Sequence, residues 1–212
     1  MMQVMLVGAT GLVGRQVLAQ LLLEDAVARV VVPTRRPLET VHAKLLNPVV
    51  DFNALPPQAD WWKVDSVICT LGTTMKQAGS RDAFSRVDHD YPLQVARQAL
   101  AGGALSYALN SAAGADPRSR FFYNRVKGTL EHDLQALGYV SLTLVRPGLI
   151  DGPRRQVRAA EHLGGIVLRA LAPVLPKRMR VNPADRIATA LVDAALQARP
   201  GVHVVKSEDL AV

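Results

Sequence analysis

The sequence predicts a doubly wound α/β fold on a parallel sheet, and three observations predict it. Short β-rich apolar runs alternate with helical patterns along most of the chain. A glycine turn, Gly8, Gly11 and Gly14, stands between the first run and the first helix. The 212 residues, 49% of them hydrophobic, fit one domain, or one with a small appendage, around a substantial core.

Each element follows in order. Val4, Leu6 and Val7 form the first strand, and Val13, Val17, Leu18, Leu21 and Leu22 recur at helical spacing up to Leu23. Arg29 to Val32 is a second strand, stopped by Pro33 because proline cannot donate to a central ladder. Two strands joined by a helix imply a right-handed parallel crossover. Val49-Val50 ends a third short strand, and Ser66 to Leu71 reads as a buried fourth. Asp82 to Ala101 is helical and stops at Gly102-Gly103; Ala104 to Leu109 is a fifth strand. Asn124 to Leu137 is a helix ended by Gly138, and Ser141 to Val145 is a sixth strand. Prolines at 153, 173 and 176 then surround a candidate helix from Ala159 to Leu171. Pro183 to Ala198 returns to clean helix with Asn182 as its cap, and Val202 to Val205 is a last strand. The expectation is one Rossmann-type domain over 1–212. Its 151–180 segment is a small, basic, C-terminal elaboration that covers the substrate.

A pyrophosphate can sit on a helix N-terminus only where no side chain shields the backbone N–H groups, and glycines at 8, 11 and 14 leave that room. An ordinary strand-to-helix turn is the alternative. An NAD site offers Asp or Glu at the end of the second strand, whereas this chain has Thr34-Arg35-Arg36. Guanidinium groups bind a 2′-phosphate that a carboxylate would repel, so NADP(H) is expected over NAD(H), with solvated loop charges as the alternative.

Tyr123 and Lys127 are four apart and share a helix face, beside the sheet-packing stripe Val126, Leu130, Leu134 and Leu137. An adjacent ammonium favours the phenolate, and a Tyr so held can exchange a proton with a carbonyl or hydroxyl. Such pairs also occur by chance; the glycine turn gives this one its weight. Ser111, twelve residues before Tyr123, could bind the substrate oxygen or be a turn serine bonding its own backbone.

Gly8 to Gly14, Leu71-Gly72-Thr73-Thr74, Ser111, Tyr123-x-x-x-Lys127 and Arg146-Pro147-Gly148 together resemble the short-chain dehydrogenase/reductase superfamily. Cys69 to Thr74, Val87 to Tyr91, Gly114-Ala115-Asp116 and Tyr123 to Gly128 narrow the resemblance to the atypical branch containing the human Tat-interacting oxidoreductase and its bacterial relatives. The resemblance implies that Gly8, Thr10, Gly11, Leu12 and Val13 meet the pyrophosphate, Arg35 and Arg36 the 2′-phosphate, and Asp51-Phe52 the adenine. It places Leu71, Gly72 and Thr73 on the nicotinamide side, with Pro147, Gly148, Leu149 and Ile150 on the carboxamide. Ser111, Tyr123 and Lys127 become the catalytic set, and Lys127 also holds the cofactor ribose. Related sequences often carry a serine pair where this chain has Ser111-Ala112.

The leading expectation is therefore an NADP(H)-dependent oxidoreductase acting on a carbonyl or hydroxyl. Its rivals are a sugar-nucleotide epimerase-like enzyme and a cofactor-gated regulatory protein acting through a protein partner. Asp88, His89 and Asp90 cluster, but in a helix with no fourth ligand at compatible spacing, so packing and capping are expected, not a metal. Trp61-Trp62 reads as an apolar cap, and Cys69 as an inert buried thiol. The net charge of +7 is concentrated between Arg146 and Arg186, where nine basic residues face three acidic ones. An anionic small-molecule substrate would suit this excess, as would an acidic partner or simple solvation. Nucleic acid would not, because the segment lacks aromatic residues for stacking. A homodimer is compatible with the superfamily. The start Met1-Met2-Gln3 has no charged signal region, one cysteine cannot form an internal disulfide, and no apolar run reaches membrane length, so a cytoplasmic protein is expected.

Overall fold

In the computed structural model, which describes residues 1–151 and 181–211, seven strands form a single parallel sheet. The expected helix over 159–171 and most of the basic 151–180 segment lie outside the described residues. The strands are β1 (Met2–Val7), β2 (Val27–Val31), β3 (Leu45–Leu46), β4 (Ser66–Cys69), β5 (Ser106–Asn110), β6 (Ser141–Arg146) and β9 (Gly201–Lys206). Their order is β3-β2-β1-β4-β5-β6-β9, and every neighbouring pair is parallel. The order reverses between β1 and β4. A crevice at the carboxyl ends of these two strands is where such sheets bind ligands.

Both faces of the central strands β1, β4, β5 and β6 are covered, so these are buried along nearly their whole length, whereas the edge strand β9 alternates between exposed and half-buried residues. Met5, Val7, Val67, Cys69, Tyr107 and Leu109 point to one layer, with Leu130 and Leu134 of α5 (Phe122–Ala136) and Val95 and Ala99 of α4 (Tyr91–Ala101). Val4, Leu6, Ile68 and Ala108 point to the other, against α1 (Leu12–Leu23) and α6 (Ala184–Gln197) through Val13, Val17, Ile187 and Leu191.

Several expectations change in detail. The third strand is Leu45–Leu46, short of Val49-Val50, and beyond it only Thr34 and Val49 form a bridge. Pro33 and Pro48 remove a donor from each side of the ladder. The helix expected over 82–101 is α3 (Arg81–Ser85), a π-helical turn (Arg86–Asp90) and α4 in succession. Pro92 lacks the N–H that would bond Asp88, which accounts for the widened turn. Asn182 does not cap α6, whose N-cap is Pro183 without a side-chain bond; Asn182 instead lies in β8 (Asn182–Pro183), paired with β7 (Ile150–Asp151). The sequence reading also lacks two one-turn helices, α2 (Met75–Ala78) and α7 (Ser207–Leu210).

Candidate active site

The glycine turn divides its labour. Gly8 has φ +91°, and a Cβ there would stand 2.6 Å from the Thr70 carbonyl carbon. A Cβ on Gly14 would stand 2.2 Å from the Gly8 carbonyl oxygen. Both are glycine because the turn packs onto the end of β4. Gly11 differs: its φ of −74° suits any residue, and its Cβ would meet only the Gly8 oxygen at 3.4 Å. Gly11 is the N-cap of α1 without a side-chain bond, and the first turn holds no acidic residue. The fold does not demand glycine here, and its effect is to leave the positive end of α1 uncovered.

From this turn the site continues through the strand end it touches. After Thr70, the chain runs through half-buried Leu71, exposed Gly72 and half-buried Thr73. The Thr73 N–H donates to Asp88 Oδ2 at 2.8 Å, and Asp88 Oδ1 lies 2.9 Å from Lys127 Nζ. Asp88 and Lys127 are both buried. A Cβ on Gly72 would be 3.4 Å from that Asp88 oxygen and 3.8 Å from the ammonium. Tyr123, one helical turn before Lys127, is 42% exposed and sets its ring edge-on to Phe84 at 5.9 Å.

The electrostatics differ from the expectation. Burial pushes the Tyr123 phenol above its ordinary range, the Lys127 ammonium opposes this, and the Asp88 carboxylate adds to it. The net direction is upward, so the phenol stays protonated at neutral pH. For Lys127, burial alone would favour the neutral amine, but Asp88 overcomes it and the group titrates above its usual range.

Ser111 is buried and donates its hydroxyl to Glu131 Oε1, not towards Tyr123. Glu131 also takes both Nε and Nη2 of Arg146, so the ends of β5 and β6 are tied to α5. The Pro147 to Ile150 loop is pinned by Asn182, which accepts from the Gly148 N–H at 2.7 Å and donates to the Ser207 carbonyl at 2.9 Å. Sequence reasoning missed Glu131 and read Asn182 only as a helix cap. Asp88 was visible as part of an acidic cluster, but nothing local linked it to Lys127, 39 positions away.

At the other end of the crevice, the loop after β2 is shaped by Asn47. Its side chain bonds the Val32 carbonyl, the Thr34 hydroxyl and the Leu38 N–H. Arg35 and Arg36 are exposed there, with no carboxylate partner among the described residues. Asp51 is exposed and bonds Asn53; Phe52 is buried against Tyr91. Cys69 is buried, and burial raises its thiol, as an inert residue requires. Among the described residues no His/Cys/Asp/Glu group could hold a metal, and Trp62 is buried with its indole N–H on the Pro56 carbonyl.

No protein-family model matches the chain. The mitochondrial protein fmp52 of Emericella nidulans is 35% identical over 223 residues, covering 98% of this chain and 93% of the fungal one. Protein HTATIP2 of Rattus norvegicus is 37% identical over 164 residues, or 76% of this chain and 67% of the rat protein. Among solved structures, MoeE5 in complex with UDP-glucose and NAD aligns with a TM-score of 0.73 at 18% identity, covering 95% of this chain and 74% of its own. UDP-glucuronic acid 4-epimerase from Bacillus cereus in complex with NAD gives 0.71 at 13%, over 97% and 78%. At such identities the structures show the shared fold.

The relatives correct one expectation. Similar fungal proteins are named as mitochondrial, and the cytoplasmic assignment does not stand. A single thiol is equally compatible with any reducing compartment, so it never discriminated between them. No helix among the described residues is long and apolar enough to cross a membrane. By residues, site layout and likeness over nearly its whole length, the chain belongs to the family of the fmp52 proteins and HTATIP2, within the atypical short-chain dehydrogenase/reductase superfamily.

Proposed function

We propose that the protein is an NADP(H)-dependent oxidoreductase that moves hydride between nicotinamide and a carbonyl or hydroxyl substrate. One observation carries this: the open helix end and the Tyr123–Lys127 pair are contiguous. A Cβ on Gly8 would run into Thr70 and Leu71, and one on Gly72 would stand 3.8 Å from Lys127 Nζ. A dinucleotide lying from the turn across this loop therefore brings its far end to the phenol. The residues fit such a ligand, since Gly11 and Gly72 are exposed and put bare backbone, not side chains, along its path. Gly8, Thr10, Gly11, Leu12 and Val13 hold the pyrophosphate, Arg35 and Arg36 the 2′-phosphate, and Asp51 and Phe52 the adenine. Leu71 to Thr73 and Pro147 to Ile150 flank the nicotinamide. When bound, the cofactor supplies or accepts the hydride.

The chain's own part is proton chemistry. A phenol kept protonated by burial donates to a carbonyl oxygen as negative charge develops there, which suits reduction. Lys127 supplies positive charge from beneath Gly72, under the stretch of the crevice assigned to the nicotinamide and its ribose. Ser111 can donate to substrate only by releasing Glu131. An anionic substrate would meet Arg81 and Arg125, whose guanidiniums both stack on Phe122, next to Tyr123, with no carboxylate partner among the described residues.

The test is NADPH oxidation across a panel of carbonyl compounds, with and without a carboxylate, by wild type, Tyr123→Phe and Ser111→Ala. Turnover that falls about 10²–10⁴-fold in Tyr123→Phe supports the assignment. NADPH binding with no turnover dependent on Tyr123 would assign the protein to cofactor-gated regulation. Failure to bind either dinucleotide would sink both.

A further inference from the structure

We infer that Asp88 is a positioning residue of this site: it keeps the buried Lys127 ammonium charged beside Gly72 and clamps the Leu71–Thr73 loop to it. As a statement about the active centre, this rests on the oxidoreductase proposal; as a statement about Lys127, it does not.

The geometry is closed on every side but one. Lys127 Nζ faces Asp88 from the π-helical turn, Tyr123 from its own helix and Cys69 from β4, and of these only Asp88 is a carboxylate. A lone ammonium buried to this degree would shed its proton, because desolvation penalises the charged form by several pKa units. Asp88 is as deeply buried, and its Oδ1 stands 2.9 Å from the ammonium. Its other oxygen receives the Thr73 N–H. One carboxylate thus fixes two things together: the charge on Lys127, and the loop that separates that charge from the crevice. The open side is Gly72, where among the described residues no side chain stands between the ion pair and solvent. Within the π-helical turn Asp88 is the inward residue, and Arg86 and Asp90 on the same turn are exposed.

The sign of the linkage gives a test free of cofactor and substrate. In wild type, Lys127 titrates above its ordinary value of 10.5, so its contribution to stability is constant through neutral pH and is lost as pH rises past that value. In Asp88→Asn the buried amine titrates below 10.5. The unfolded state then binds the extra proton, and stability rises with pH. The Tm deficit of Asp88→Asn relative to wild type should therefore shrink between pH 6 and pH 9, by at least about 3 °C. Asp88→Asn/Lys127→Met should lose this slope. Lys127→Met gives the mirror image, a deficit that grows with pH as the abandoned carboxylate ionises, and it serves if Asp88→Asn does not fold. A deficit independent of pH in both single variants would overturn the proposal and leave Asp88 as packing. NADPH titration separates the two claims: the affinity of Asp88→Asn relative to wild type should fall roughly tenfold between pH 6 and pH 9. If wild type binds no NADPH, the oxidoreductase proposal fails while the Tm slopes still decide the role of Asp88.

Discussion

Tyr123 and Lys127 are each easy to find in the sequence, yet their chemistry is set by a third residue. The spacing alone suggests an ammonium that drives the phenol towards phenolate. Burial and the Asp88 carboxylate reverse that direction, and a protonated phenol is an acid. The pH profile of carbonyl reduction should accordingly stay flat through neutrality and fall only when Tyr123 ionises above pH 10, which initial rates measured from pH 6 to 11 would show. Arg35 and Arg36 make a second residue-level prediction. Replacing both with Ala should weaken NADPH about 10–100-fold, the range for losing charged hydrogen bonds, and leave NADH nearly unchanged. Equal losses, measured by calorimetry, would refute the 2′-phosphate assignment. Residues at this scale were legible where a motif fixes them by spacing. Glu131, Asp88 and Asn182 were not, because each acts on a partner 15 or more positions away: Arg146, Lys127 and Gly148 respectively.

At the scale of elements, the glycine turn separates what the fold needs from what a ligand needs. Gly14→Ala and Gly8→Ala drive a Cβ into backbone, and Gly8 adds a left-handed φ, so each should destabilise the protein by about 1–3 kcal/mol or more in urea unfolding. Gly11→Ala should cost little stability and still lose most dinucleotide affinity, since its Cβ meets only the 3.4 Å contact with the Gly8 oxygen and projects over the open helix end. The strands and long helices were readable because each repeats an apolar pattern with a period of its own. β3 was displaced by two prolines, and the helix over 82–101 hid a π-helical turn whose cause, Pro92, looks in sequence like an ordinary first-turn proline. β8 and α7 were invisible, since they are held by Asn182 reaching the Ser207 carbonyl rather than by any local periodicity. Asn182→Ala should loosen the Pro147 to Ile150 loop, seen as faster amide exchange at Gly148, whose N–H it holds.

For the whole molecule, five groups held in or at the edge of the core shift in one direction. Burial raises Cys69, Tyr107, Tyr123 and Tyr139, and Asp88 raises Lys127 against burial. A group whose pKa is raised on folding stabilises fully below its unfolded value and loses that contribution as pH climbs through its folded one. The lowest of the ordinary values is the thiol at 9.0. From these groups, Tm should hold steady from neutrality to about pH 9 and fall steeply beyond it, and Tyr139→Phe should flatten that fall. The charge of +7 also acquires a location: two arginines at the end of β2, two on Phe122, and an excess in the segment after Arg146. The whole arrangement, a dinucleotide laid from Gly11 to Tyr123, meets its most direct test in isotope transfer. Wild type incubated with NADPH deuterated at both C4 positions and the carbonyl panel should yield an alcohol carrying one deuterium on carbon, and Tyr123→Phe should yield almost none. Wild type that binds NADPH yet deposits no deuterium on any carbonyl would contradict it.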